Sequence, residues 1–131
     1  MPGGDRTGPS GAKVAFSIAG DDLQSALDSR FGRAPKFLIY DLDQNDFQII
    51  DNQQNLNALQ GAGVQAAEVV AKAGVQAVVT GHCGPKAYRV LSESGIKVYT
   101  SEAATVAEAL EALGNGKLTC LNAADVGGHW V

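Results

Sequence analysis

Residues Thr80 to Lys86 read Thr-Gly-His-Cys-Gly-Pro-Lys, which puts an imidazole, a thiol and an ammonium into one glycine-flanked turn. Three chemistries are open to such a set. A thiol beside a helix start and a cation has its pKa lowered toward the thiolate, which makes a nucleophile or a redox group. Thiol and imidazole are also soft donors that copper, zinc or a sulfide cluster accepts. The free N–H groups of a helix start, with a lysine beside them, suit an anion. The elements that must position this turn can be read on either side of it. Val78 and Val79 end a buried strand, and Pro85 suits the first helical position, where no hydrogen bond is lost. A strand-to-helix loop in an open α/β sheet lies at the carboxyl edge, the usual place for ligands.

Each chemistry has a plainer rival. Gly81-His82-Cys83-Gly84 resembles a nucleophile elbow, but its second glycine comes one residue early, and neighbouring His82 and Cys83 lack a third partner. Cys83 packing as a small hydrophobe beside a surface His82 is the bland alternative. As metal ligands, His82, Cys83, Cys120 and His129 match no standard zinc spacing, and two cysteines cannot supply a four-thiolate iron–sulfur centre. Phe31-Gly32-Arg33-Ala34-Pro35 is a second suggestive loop, because an arginine beside a glycine can present its guanidinium to an anion. Lys86 and Arg89, three apart on one helix face, would complete a positive pocket if they converge with Arg33. Gly61-Ala-Gly63-Val-Gln-Ala66 has the glycine spacing of a dinucleotide fingerprint but follows a polar loop and lacks the later acid; tight helix packing explains it better. Asp21, Asp22, Asp28, Asp41 and Asp43 could suggest a two-metal site, yet they read as loop and turn residues.

The chain has 131 residues, 45% hydrophobic and 18% charged, enough for one domain with its own core. Its net charge of −4 argues against non-specific nucleic-acid binding. No stretch is long and apolar enough to span a bilayer, and the N-terminus lacks a signal-peptide core, so the expected location is the cytoplasm, with no membrane partner. Residues 1–12, rich in Gly and Pro, read as a flexible leader, and residues 13–131 as a single α/β domain. Strands are expected at Lys13 to Ile18, Lys36 to Leu42, Phe47 to Asp51, Gln76 to Thr80 and Ile96 to Tyr99, with a short one near Leu118 to Leu121. The second and third flank the turn Asp43 to Asp46 as a hairpin. Helices are expected at Ala58 to Ala73 and Pro85 to Ser94, ended by Gly74 and Gly95. A third opens at the capping box Thr105-Val-Ala-Glu108 and closes at Gly114-Asn-Gly116.

Four segments occur together in order: FGRAP at Phe31 to Pro35, GAGVQAAEVVAKAGVQAVVTGHCGPKA at Gly61 to Ala87, SGIKVY at Ser94 to Tyr99 and TVAEALEAL at Thr105 to Leu113. In this the chain resembles the dinitrogenase iron–molybdenum cofactor biosynthesis family, most of all its small single-domain members that carry a molybdenum–copper sulfide cluster non-covalently. The resemblance implies a ribonuclease-H-like three-layer α/β fold, a mixed sheet of about five strands with flanking helices. It implies non-enzymatic binding, storage or transfer of a molybdenum-containing metal–sulfur cluster, with the iron–molybdenum cofactor or a precursor as the alternative cargo, received from or passed to another protein. The implied cofactor-binding residues are Phe31, Gly32, Arg33 and Ala34 with Thr80, Gly81, His82, Cys83, Gly84, Pro85 and Lys86; His82 and Cys83 are the candidate metal ligands. A thiol-based redox enzyme using Cys83 and a regulatory module binding a small anion are the alternatives.

Overall fold

The computed structural model describes residues 13–28, 30–52 and 62–121. The leader, the expected helix start at 58–61 and the tail carrying His129 lie outside the described residues. Six strands form one sheet in the order β3-β2-β1-β4-β5-β6: β1 Lys13–Ile18, β2 Lys36–Asp41, β3 Asp46–Asp51, β4 Ala77–Thr80, β5 Lys97–Thr100 and β6 Thr119–Cys120. Among the described residues three α-helices accompany it: α1 Ala62–Lys72, α2 Pro85–Glu93 and α3 Val106–Gly114.

The central strands β1, β4 and β5 run parallel, while β2, β3 and β6 extend the sheet antiparallel. A strand buried on both faces is largely apolar, and β1 (KVAFSI) and β4 (AVVT) are so apart from Lys13, Ser17 and Thr80. Alternate residues feed two cores. Ala15, Phe37, Ile39, Val78 and Val98 pack with Ala66 and Val70 of α1 and Ala87 and Leu91 of α2. Val14, Phe16, Leu38 and Val79 pack with Val106 and Ala109 of α3 on the other face. The result is helix pair, sheet, helix. The glycine spacing at Gly63 serves the helix pair: a Cβ there would stand 3.2 Å from the Ala87 Cβ.

The expected elements are present, with one correction. The sheet has six strands rather than about five, because the short stretch after α3 pairs with β5, its Leu121 N–H donating to Val98 O at 2.8 Å. Three glycines end helices as positive-φ residues, Gly74 (φ +80) after α1 among them. Gly95 (φ +79) lets Ile96 N–H reach Leu91 O at 2.9 Å, and Gly116 (φ +71) lets Lys117 N–H reach Ala112 O at 2.9 Å. The capping box is shifted by one residue on its return arm. Glu108 N–H donates to Thr105 Oγ1, but the Glu108 carboxylate accepts from Ala104 N–H.

The three parallel strands end together at Ile18, Thr80 and Thr100. Antiparallel β2 begins at the same edge, and β3 ends there. Every candidate loop therefore meets one rim of the sheet.

Candidate functional site

The rim is assembled from three strand ends and a hairpin base. A short 3-10 turn, Phe31–Arg33, lies between β1 and β2. Its Phe31 N–H donates to His82 O at 3.1 Å, so the Phe31 loop and the His82 turn are joined backbone to backbone. Phe31 anchors the turn: it is buried in the helix-pair core, its ring centroid 5.2 Å from that of Phe37.

Two buried polar side chains clamp the flanks of this loop, and sequence reasoning singled out neither. On one side Ser17 of β1 donates from Oγ to Asp28 O at 2.7 Å, lies 2.8 Å from Thr80 Oγ1, and accepts the Asp28 N–H on its carbonyl at 2.7 Å. On the other, Asn52 donates from Nδ2 to Ala34 O at 2.7 Å and from its backbone N–H to Pro35 O at 2.8 Å. Ser17, Asn52 and Thr80 are all fully buried, and a buried polar group is retained at a cost unless it is hydrogen-bonded. The signals were a hydroxyl inside the apolar run of β1 and an amide directly after β3.

The candidate residues divide into a buried scaffold and an exposed surface. Phe31, Ala34, Thr80 and Cys83 are buried; Gly32, Gly81 and Gly84 are half-buried; Arg33, His82, Pro85 and Lys86 are exposed, as is Arg89 on α2. Gly84 precedes α2 in an extended conformation with no side-chain cap, and Pro85 opens the helix. The start of α3 differs. Its Val106 and Ala107 N–H groups are taken by Ser25 O and Leu23 O, and its Glu108 N–H by Thr105. Of these two helix starts, the one at the candidate loop carries no such cover of side chain or loop carbonyl among the described residues.

Cys83 departs from the thiolate expectation. Its side chain enters the helix-pair core, and among the described residues its Sγ reaches only Gly84 O, at 3.7 Å. Burial pushes the thiol from the usual 9.0 up to about 12, the opposite of activation, because the core cannot solvate a thiolate. Cys120, by contrast, is exposed on β6, and both cysteines are free thiols. Among the described residues no three His, Cys, Asp or Glu side chains gather as they do around a metal ion.

The aspartates are turn chemistry. Asp22, Asp28 and Asp41 accept nearby backbone N–H groups, and Asp21 pairs with Lys36 at 2.6 Å. No helix among the described residues is long and apolar enough to cross a membrane.

Three comparisons bear on this geometry. Residues 12–116 match the model of a family described as dinitrogenase iron–molybdenum cofactor. The fold is similar to the apo form of the orange protein of Desulfovibrio gigas, with a TM-score of 0.81 and 34% identity, covering 83% of this chain and 92% of that one. It is also similar to a putative NifB protein from Thermotoga, with a TM-score of 0.75 and 33% identity, covering 84% and 93%. An uncharacterized protein of Methanocaldococcus jannaschii is 34% identical over 109 residues, 81% of this chain and 88% of its own length.

Proposed function

Because the chain belongs to the dinitrogenase iron–molybdenum cofactor family, we propose that it binds an anionic molybdenum-containing sulfide cluster at the joined Phe31 and His82 loops and carries it without chemical turnover. The observation that carries this reading is the Phe31 N–H to His82 O bond, which makes one surface of two loops distant in sequence. The structural likeness to a protein described in an apo form supports a ligand-carrying role. The sheet order, with its outer antiparallel hairpin, supports the ribonuclease-H-like assignment.

The donor set fits an anion held mainly by N–H groups and cations. Exposed Arg33 and Lys86 supply charge, and the start of α2 supplies backbone donors without a capping side chain. With Cys83 in the core, its thiolate is not among the groups presented to the cargo. One helix terminus contributes only about 0.3–1 kcal/mol to an exposed anion. Micromolar affinity needs about 8 kcal/mol, so several charge-assisted bonds must act together. His82, exposed at the junction, is the remaining candidate for a direct bond to the metal. A molybdenum–copper sulfide cluster is the first candidate cargo, and the iron–molybdenum cofactor or a precursor the second. A donor or recipient protein completes the cycle, and the cytoplasm is its place.

Anaerobic incubation of the apoprotein with tetrathiomolybdate and a copper salt tests the reading. It predicts visible absorption that stays with the protein through gel filtration, with metal in whole-number ratio to the chain. Protein emerging colourless and metal-free would remove it. A thiol enzyme using Cys83 is not favoured, because the side chain is 3% exposed and its thiol holds its proton.

A further inference from the structure

Beside the His82 turn, on the same rim, lies a hollow of about 400 Å³ that nothing above uses. Gly81 forms part of its wall, so it adjoins the joined loops directly. The rest of the wall comes from the end of β5 and the segment leading into β6: Thr100, Ser101, Glu102, Lys117, Leu118 and Thr119. A volume of this size lies within the range of about 300–1,000 Å³ typical of small-molecule sites.

We infer that this hollow is a second contact for the same anionic cargo, with the Ser101 hydroxyl and the Lys117 ammonium as its donors. The inference rests on the proposed function. Ser101 carries the argument. It is 9% exposed, its N–H donates to Thr80 O at 3.0 Å, and its Oγ accepts from Ala103 N–H at 3.0 Å. The hydroxyl oxygen therefore has a partner, and its proton, with no acceptor among the described residues, is left to donate to a ligand in the hollow that Ser101 lines. The same N–H bond ties Ser101 to Thr80, whose neighbour Gly81 begins the candidate turn, so the two contacts are rigidly linked.

Lys117 is fixed independently. Its backbone N–H is locked to Ala112 O by the helix end at Gly116, which sets the root of its side chain beside Thr119. Glu102 stands on the same wall with the opposite charge. An anion in this hollow is attracted by one group and repelled by the other. That opposition gives the site a signature: removing Lys117's charge weakens retention and removing Glu102's strengthens it.

The experiment titrates isotopically labelled protein with tetrathiomolybdate under anaerobic conditions and follows backbone amide shifts. Saturable shifts at Ser101, Lys117 and Thr119 are expected, together with shifts at Phe31, Arg33 and Lys86. Lys117→Gln raises the dissociation constant about tenfold, the loss of one charge-assisted bond, and Glu102→Gln lowers it severalfold. Lys97→Gln and Glu93→Gln, elsewhere on the surface, change it less than twofold. Ser101→Ala weakens binding without reversing the order. Shifts confined to the Phe31 and His82 loops, or equal affinities for Lys117→Gln and Lys97→Gln, overturn the inference and leave the proposed function standing. Shifts confined to the hollow overturn the loop site and with it the inference, which presupposes a first contact there. No shift anywhere overturns both.

Discussion

The two ends of the sheet spend their polar groups differently. At the β2–β3 turn the bonds are local: Asp41 Oδ1 accepts from Asp43 and Gln44 N–H, Asp46 Oδ1 from its neighbour Phe47, and Asn45 takes the positive φ the turn needs. At the rim of the joined loops the bonds join segments far apart in the chain. Ser17 meets Thr80 across 63 positions, Asn52 meets Ala34 across 18, and Phe31 meets His82. A turn closed by neighbours forms whenever its own sequence allows. A rim closed by distant partners forms only when the sheet is in register, so its geometry reports on the whole fold.

Breaking the rim should cost more than breaking the turn. Phe31→Ala empties a buried aromatic site and is expected to lose about 3–5 kcal/mol of unfolding free energy, read by urea denaturation. Asn52→Ala leaves the Ala34 carbonyl buried without its donor and should cost about 1–3 kcal/mol, accompanied by faster hydrogen exchange at the Phe31 amide. Asp41→Ala, the equivalent change at the other end, should cost below about 1 kcal/mol and leave that exchange rate unaltered. Equal losses from Asn52→Ala and Asp41→Ala would erase the distinction.

Cys83 sharpens the same contrast from inside the core. Its thiol keeps its proton in the folded state up to about pH 12, whereas the unfolded chain releases it near 9.0. The unfolded state thus binds fewer protons between these values. Stability is intact below pH 9 and falls as pH rises toward 12, by at most about 1.4 kcal/mol per unit. Cys83→Ala should remove that slope. At pH 8, iodoacetamide should alkylate exposed Cys120 readily and Cys83 only on unfolding. Rapid alkylation of Cys83 in folded protein would restore the thiol reading.

What could be read from the chain tracks this division. The strands, helices and hairpin turn follow local rules: apolar runs, helical spacing, Pro85 at a helix start, Gly95 past a helix end. The two loops were recognisable by composition, Arg33 beside a glycine and Lys86 after a proline. That they meet is implied by the family resemblance and not by the residues themselves, because the contact is a bond between two main chains and leaves no residue type to see. Ser17 and Asn52 escaped for a related reason: a single polar residue at a strand end looks like a solvent-facing one until its distant partner is known. The sixth strand is legible near Leu118 to Leu121 but faint, because two residues carry little periodicity, and the count of about five came from the resemblance. Cys83 stays open in the sequence between an activated thiol and a buried hydrophobe, because a thiol beside a helix start does not say which way it points, and the structure selects the second.

The central claim is that charge and backbone donors at the joined loops hold the cargo, and that the cysteine does not. Metal content after anaerobic loading with tetrathiomolybdate and copper, compared between Arg33→Ala and Cys83→Ala, tests it most directly. Arg33→Ala is predicted to retain markedly less metal than the unaltered protein and Cys83→Ala nearly as much; retention lost with Cys83→Ala but kept with Arg33→Ala would contradict the account.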